Sequence, residues 1–274
     1  MHRRSGAGAG AALARLLPAV MALSASSAVL AEEESIATDR PDFVESGAVV
    51  GKGVFQIETS LARESDRRDG VATRTWITPT LLRLGVSARL ELRLETDGLT
   101  RQKVDDGASR STDNGMSNSA IGVKWQMREG QAGAGTPSLA WLAHLELNSG
   151  SAAFRGSGVA PSLRLVAEWE LPGDAAFGVM PGLAWNKDDN AARYGSAILA
   201  ATYSRPLAGS LRGFVELAGR ELRSKRHGGN QVTFDAGLTY ALDKDTQVDA
   251  AINLGLNRDT PDALVTIGFS KRFR

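Results

Sequence analysis

The sequence predicts an all-β fold, a transmembrane antiparallel β-barrel of about 12 strands. First, apolar and polar residues alternate with a period of two through most of the chain after residue 52, and nothing comparable repeats at helical spacing. Second, short turns alternate with longer polar loops. Third, the last alternating run ends in an aromatic residue, Phe273. Together these features favour a barrel in the outer membrane of a Gram-negative bacterium over a soluble β-sandwich or lipocalin-like barrel.

Residues 1–31 have the composition of a cleaved signal peptide. Arg3 and Arg4 give a basic start, and an apolar stretch rich in Ala, Leu and Val follows them. Val29-Leu30-Ala31 then offers small or neutral residues at the cleavage position. The apolar stretch is short for a membrane span, so we exclude residues 1–31 from the fold.

The charge and the cysteine count exclude several classes of function. Of the 32 Lys and Arg residues, three lie in the leader, which leaves 29 basic against 31 acidic residues in the exported chain. This near-neutral balance gives no electrostatic reason to expect nucleic acid as a partner. The chain has no cysteine, which excludes disulfides and thiolate metal sites.

Residues 32–52 precede the alternating pattern and form a separate N-terminal segment, predicted to be a periplasmic lead or plug. Its residues 38–47 read TDRPDFVESG. This stretch is a linker, a tag for a partner, or a plug folded into the barrel. We favour the plug, because an arginine close to two acids suits an ion-pair latch with charges of the lumen. In that hypothesis Asp39, Arg40 and Asp42 form the ion pairs, and Phe43 anchors the segment.

Residues 53–274 carry the barrel. Leu90-Glu91-Leu92-Arg93-Leu94-Glu95 shows the pattern most clearly, with leucines on one face and charges on the other. Strands of roughly ten residues, tilted by about 45°, match the thickness of a bilayer. The alternating runs predict strands near residues 53–62, 73–84, 87–96, 118–127, 138–147, 159–171, 176–186, 194–205, 211–221, 231–242, 246–256 and 263–273.

The connections support the same layout. Short turns are expected after even-numbered strands, and longer polar loops, notably 97–117 and 148–158, after most odd-numbered ones. The segment 128–137 departs from this rule by its length. The loop from Asp97 to Asp113 is rich in acids, but it lacks the spacing of an EF-hand, so we expect a solvated outer loop.

The last strand carries a second membrane signal. Val265, Ile267, Phe269 and Phe273 share one face, which Lys271 interrupts, and Arg274 follows the final aromatic residue. This ending resembles the signal by which bacterial outer-membrane barrels are passed to their assembly machinery. The tryptophans and one tyrosine also fall on strands, as interfacial girdles or as core packing would require: Trp76, Trp125, Trp141, Trp169, Trp185 and Tyr240.

Several fragments together resemble a family. TDRPDFVES at residues 38–46 is followed by Val49-Val50, by Gly53 and by Gln56-Ile57-Glu58. Leu84-Gly85-Val86, Arg89–Arg93 and Ile121–Trp125 add to the likeness. The chain resembles, over its whole exported length, the family of bacterial outer-membrane proteins labelled "MetA-pathway of phenol degradation" or simply "transporter". The resemblance implies an outer-membrane barrel and a link to the uptake of aromatic compounds.

The polar face supplies the candidate residues of the lumen. They either bind and conduct a small solute or pair across neighbouring strands to fill a narrow barrel. About eight strands leave an interior filled by side chains, and sixteen or more leave an aqueous channel, so twelve strands suit a constricted pore. The candidates are Glu58, Arg83, Glu91, Arg93, Glu95, Lys124, His144, Glu146, Arg164, Glu168, Glu216, Arg220 and Asp235.

Catalysis and metal chemistry find little support in the sequence. His144 is the one histidine on a predicted strand, and neither Ser162 nor Ser196 carries a nucleophile signature, so we predict no catalytic residue and no enzyme. His144 with Glu146 would give a metal only two ligands, so we predict no metal site and no cofactor.

The predicted function is passive, channel-like passage of small organic solutes across the outer membrane. Its partners are the lipid bilayer, the assembly machinery and a solute that the residues do not identify. The alternative is a non-conducting structural or adhesion barrel whose outer loops bind partners. An outer-membrane hydrolase is a third, more remote reading.

Overall fold

The computed structural model describes residues 35–274 apart from residues 134, 189 and 191, so the predicted signal peptide lies outside the described residues. No helix in this described part is long and apolar enough to cross a membrane. A short 3₁₀ turn spans Lys225–His227. The strands are β1 Phe55–Arg68, β2 Val71–Ile77, β3 Thr80–Ser87, β4 Leu90–Thr96, β5 Leu99–Asp105, β6 Arg110–Met116, β7 Ser119–Arg128, β8 Ser138–Glu146, β9 Ala160–Leu171, β10 Ala175–Lys187, β11 Arg193–Ala208, β12 Leu211–Leu222, β13 Gln231–Asp243, β14 Thr246–Gly255 and β15 Ala263–Phe273.

Twelve of these strands close into an antiparallel barrel, as predicted. β1 pairs with β3 on one side and with β15 on the other, and every pairing between the strands is antiparallel. The closed ring runs β1, β3, β4, β7 and then β8 to β15 in order. Because closure pairs every strand on both sides, no exposed sheet edge remains in the ring.

The remaining strands β2, β5 and β6 extend the wall beyond the ring. β2 pairs with the second half of β1, β5 pairs with β2, and β6 pairs with β5. The predicted strand 73–84 is therefore two strands, β2 and β3, interrupted at Thr78-Pro79. The prediction of a long loop at 97–117 was wrong, since most of it forms the β5–β6 hairpin.

The two faces of the barrel have opposite chemistry. Outside, Ile267 is 69% exposed and Leu217 is 56% exposed, whereas Arg83, Glu91 and Lys124 are fully buried inside. Apolar side chains therefore cover the outer surface, and charged side chains fill the lumen. This inverts the arrangement of a soluble protein and suits a barrel whose outer surface contacts lipid.

The first residues of β1 and the last of β15 lie at the end of the barrel that carries the short turns. Phe55 pairs with Phe273 in the ladder, and their rings stack with centroids 6.0 Å apart. Phe55 also pairs with Leu84, next to the turn between β3 and β4. We call this end the turn end and the opposite one the loop end. Outward aromatic side chains at the turn end include Trp125, Phe177, Tyr203 and Tyr240, in the manner of an interfacial girdle.

Candidate functional site

The N-terminal segment, residues 35–52, lies inside the lumen and is bound at both of its ends near the turn end. The amide of Ile36 donates to the carbonyl of Lys244, in the turn between β13 and β14. At the other end, the amide of Gly53 donates to the carbonyl of Gly85 on β3 at 2.8 Å. A Cβ on Gly85 would lie 1.6 Å from the carbonyl oxygen of Gly51, so only glycine permits this approach.

Asp39 is the centre of the contacts between this segment and the wall. Its carboxylate accepts hydrogen bonds from Nζ of Lys124 on β7 at 2.7 and 2.8 Å and from Arg93 on β4. Arg83 on β3 lies 3.3 Å away. Within the segment, the amide and the hydroxyl of Ser46 donate to the same carboxylate. Asp39 thus joins three neighbouring strands to the segment in one buried network.

Wall residues complete this network around Arg83. Its guanidinium donates to Glu58 on β1 at 2.9 Å and to both carboxylate oxygens of Glu91 on β4. It also donates to the backbone carbonyls of Ala37 and Ala48 in the N-terminal segment. Charged groups taken out of water need such complete pairing, because an unpaired buried charge costs several kcal/mol.

The middle of the segment is anchored by backbone hydrogen bonds and by apolar packing. The amides of Phe43 and Val44 donate to the two carboxylate oxygens of Glu216 on β12 at 2.8 and 2.7 Å. The Phe43 ring lies beside two guanidinium groups, with Cζ of Arg220 4.5 Å and Cζ of Arg164 5.5 Å from its centroid. Val44 packs in a small core inside the lumen that is made by Leu142, Val166, Met180, Ala200 and Ala218.

The other two predicted latch residues contact the wall differently. Arg40 donates to the hydroxyls of Ser60 at 2.6 Å and Thr266 at 3.4 Å, so its contacts are hydrogen bonds to hydroxyl groups. Asp42 lies in a half-buried position. Burial, reinforced by the carboxylates of Glu168 and Asp39, raises the pKa of Asp42 to about 7. Burial acts on Asp39 as well, but the charges of Arg83, Lys124 and Arg93 outweigh it and hold the pKa of Asp39 well below its ordinary value.

A cavity of about 610 Å³ occupies the lumen beside the segment. Asp39, Arg40, Phe43 and Glu45 of the segment line it together with wall residues such as Arg164. Residues near the loops, including Asn118, Phe154 and Pro261, line its other side. A volume between about 300 and 1,000 Å³ is typical of sites that hold a small molecule. The cavity therefore has both the size and the polar lining for a small solute.

The remaining predicted residues fall into separate groups. Glu168 accepts a hydrogen bond from the amide of Gly47 at 2.8 Å, and Asp235 accepts one from Arg220 at 2.7 Å. Glu146 accepts from Asn118 and is exposed, away from the Asp39 network. Nε2 of His144 lies 2.9 Å from the carboxylate of Glu95 on β4.

Sequence reasoning missed Glu45. Its carboxylate lies 2.8 Å from Arg93 and 3.2 Å from Arg164, so it joins the segment to β4 and β9. The signal that was available is its position, two residues after Phe43 within the same acidic motif. In the β5–β6 turn, Asp105 and Asp106 accept hydrogen bonds from Gly107, Ala108 and Ser109, which hold the turn itself.

The family model described as "Putative MetA-pathway of phenol degradation" matches residues 38–273 of the chain. The chain belongs to this family. The resemblance inferred from TDRPDFVES and the related fragments is thereby confirmed. The match takes in both the N-terminal segment from Thr38 onward and the whole barrel of this family member.

Solved structures show the fold of this family member by similarity. An outer membrane channel from Pseudomonas putida F1 is 13% identical with a TM-score of 0.57, over 85% of this chain and 99% of that one. The β domain of the Bordetella autotransporter BrkA is 15% identical with a TM-score of 0.51, over 80% of this chain and 99% of that one. No curated protein matches the sequence. Family and fold place the chain in the bacterial outer membrane, and these two similar structures are a channel and an autotransporter domain.

Proposed function

We propose that this family member is a channel for passive passage of small organic solutes across the outer membrane, and that its N-terminal segment plugs the lumen. The observation that carries the proposal is the polar lumen, in which a cavity of about 610 Å³ lies against the segment. The family description, which refers to phenol degradation, supports small aromatic compounds as the solutes.

The plug is held by contacts that can break without unfolding a strand. Asp39, Glu45 and the amides of Phe43 and Val44 supply the segment's side of these contacts. None of these residues belongs to a strand of the barrel. Release of the segment would therefore widen the lumen while the closed ring of twelve strands keeps its hydrogen bonds.

Planar-bilayer conductance of the purified barrel tests the plug directly. We expect a chain without residues 35–47, and an Asp39→Asn variant, to conduct more than the wild type. The Asn variant leaves Arg83, Arg93 and Lys124 with one carboxylate fewer, and breaking a buried pair costs about 3–5 kcal/mol. Asp105→Asn is the control, because Asp105 pairs with Arg110 in the exposed β5–β6 turn, away from the segment.

Two other outcomes separate the competing functions. Equal conductance of the wild type, the deletion and Asp39→Asn would show that the segment is not a plug. The absence of current from every variant at all voltages would favour the non-conducting structural or adhesion barrel. Uptake of phenol and benzoate into vesicles that contain the barrel, compared with a sugar of similar mass, then tests the solute class.

A further inference from the structure

His144 and two carboxylates meet where the N-terminal segment touches the wall. Glu45 belongs to the segment, Glu95 to β4 and His144 to β8. One donor atom from each of the three side chains lies within 4.8 Å of the other two. The chain folds two distant strands and the segment together to assemble this group.

A glycine on the intervening strand makes the arrangement possible. Gly122 on β7 pairs with Arg93 on one side and with His144 on the other. A Cβ at Gly122 would lie 2.2 Å from Cδ2 and 2.8 Å from Nε2 of His144. The imidazole therefore lies over the backbone of Gly122 and reaches across β7 to Glu95, where Nε2 is 2.9 Å from the carboxylate.

Two of the three side chains, His144 and Glu45, have buried donor atoms that are incompletely satisfied. His144 is only 7% exposed, and neither of its ring nitrogens has an aligned hydrogen-bond partner, despite the close approach of Nε2 to Glu95. Oε2 of Glu45, which is also buried, has an ion-pair contact but no aligned hydrogen bond. Buried polar atoms in this state are uncommon and call for a partner.

The net charge around the group favours binding of a cation. The network around the group contains five carboxylates and four basic side chains, so with a neutral imidazole it has one negative charge in excess. Its members are Asp39, Glu45, Glu58, Glu91 and Glu95 with Arg83, Arg93, Lys124 and Arg164. Glu45 and Glu95 also line the lumen cavity, which offers an ion a polar route of entry.

We propose that Glu45, Glu95 and His144 bind a divalent transition-metal ion, with Zn²⁺ as the best match, and that the ion joins the N-terminal segment to the wall. One imidazole and two carboxylates are a ligand set that Zn²⁺ accepts, whereas Ca²⁺ and Mg²⁺ prefer oxygen ligands alone. Zinc ligands at about 2.1 Å lie roughly 3.5 Å apart. Nε2 of His144 and the Glu95 carboxylate, now 2.9 Å apart, therefore separate slightly on binding, and the carboxylate of Glu45 completes the site from the segment.

Arg93 is the competitor for this ion. It already contacts Glu45 at 2.8 Å and Glu95 at 2.9 Å. The ion binds from the cavity side, where the open coordination positions face water or a solute. This site goes beyond the channel function, because binding of the metal does not require that the barrel conduct.

Equilibrium dialysis of Zn²⁺ against the purified, folded barrel, with the metal measured directly, tests the site. We expect one ion per chain in the wild type and affinity at least about tenfold weaker in His144→Gln, Glu45→Gln and Glu95→Gln. Glu146→Gln, on the same strand as His144, and His227→Ala are the matched controls and should bind like the wild type. Mg²⁺ in place of Zn²⁺ should not bind to the group.

The possible results all bear on the proposal. A wild-type barrel that binds no Zn²⁺ would overturn it, and so would a His144→Gln variant that binds as tightly as the wild type. Binding that is lost in the His144 and Glu95 variants but kept in Glu45→Gln would overturn the link between the segment and the wall. Circular dichroism of each variant confirms that the barrel is folded before dialysis.

Discussion

At the scale of single residues, the lumen is organised around charges that water cannot reach. Asp39 is buried, and it remains ionised because Arg83, Arg93 and Lys124 surround it. In the interior such a group is stable only with full pairing, since desolvation of a single charge costs more than one contact returns. Asp39 therefore acts as a connection between segment and wall, and its low pKa keeps that connection charged across the physiological pH range.

Gly122 carries the sharpest residue-scale prediction about packing. Gly122→Ala should destabilise the barrel by about 1–3 kcal/mol, because the new methyl group would overlap the ring of His144. Gly195→Ala is the control, since the nearest atom to a Cβ there is 4.0 Å away. Urea unfolding followed by tryptophan fluorescence measures both free energies. Equal destabilisation by the two substitutions would contradict this account of His144.

At the scale of elements, the N-terminal segment and the β5–β6 hairpin differ in how well the sequence predicts them. The segment has no strand pattern, yet its dense acids and arginine predicted contacts with lumen charges, and Asp39 makes them. The hairpin escaped prediction because β6 is exposed on nearly every residue. β6 does not have lipid on one face and the lumen on the other, so its residues need not alternate between apolar and polar.

The segment should be released more easily as the pH rises through about 7. The raised pKa of Asp42 means that docking favours the protonated acid, so this contribution is complete below the ordinary pKa of 3.8 and is lost as the acid ionises near 7. A cysteine introduced at Ala48 in this cysteine-free chain should therefore react faster with a thiol reagent at about pH 8 than at about pH 6, after both rates are divided by those of a free thiol at the same pH.

Asp42→Asn isolates the effect of this one carboxyl group. The amide cannot ionise, so the ratio of labelling rates at the two pH values, corrected for the reactivity of a free thiol, should fall towards one. If the corrected ratio in the Asn variant equals that of the chain with Asp42, another group controls release.

At the scale of the whole molecule, closure between the first and last strands determines whether the barrel forms. Phe273 stacks on Phe55 at this junction and is half exposed towards the lipid. We expect Phe273→Ala to lower the amount of folded barrel in outer membranes, both by loss of the stack and by loss of the terminal aromatic residue. Ile267→Ala, on the same outer face, should reduce it less, and equal losses would argue against a special role of Phe273.

The sequence by itself determined the number of strands in the closed ring, the two faces of the wall and the family, because period-two alternation and turn composition are local properties of the chain. It also identified most of the charged residues of the lumen, since alternation assigns each to a face. Only the tertiary structure decided which charges meet. Asp39 lies 85 positions from Lys124, and His144 reaches Glu95 across an intervening strand rather than Glu146 on its own. Such contacts depend on the register between strands and on the path of the N-terminal segment through the lumen. Both are set when the barrel closes, so local sequence patterns do not predict them.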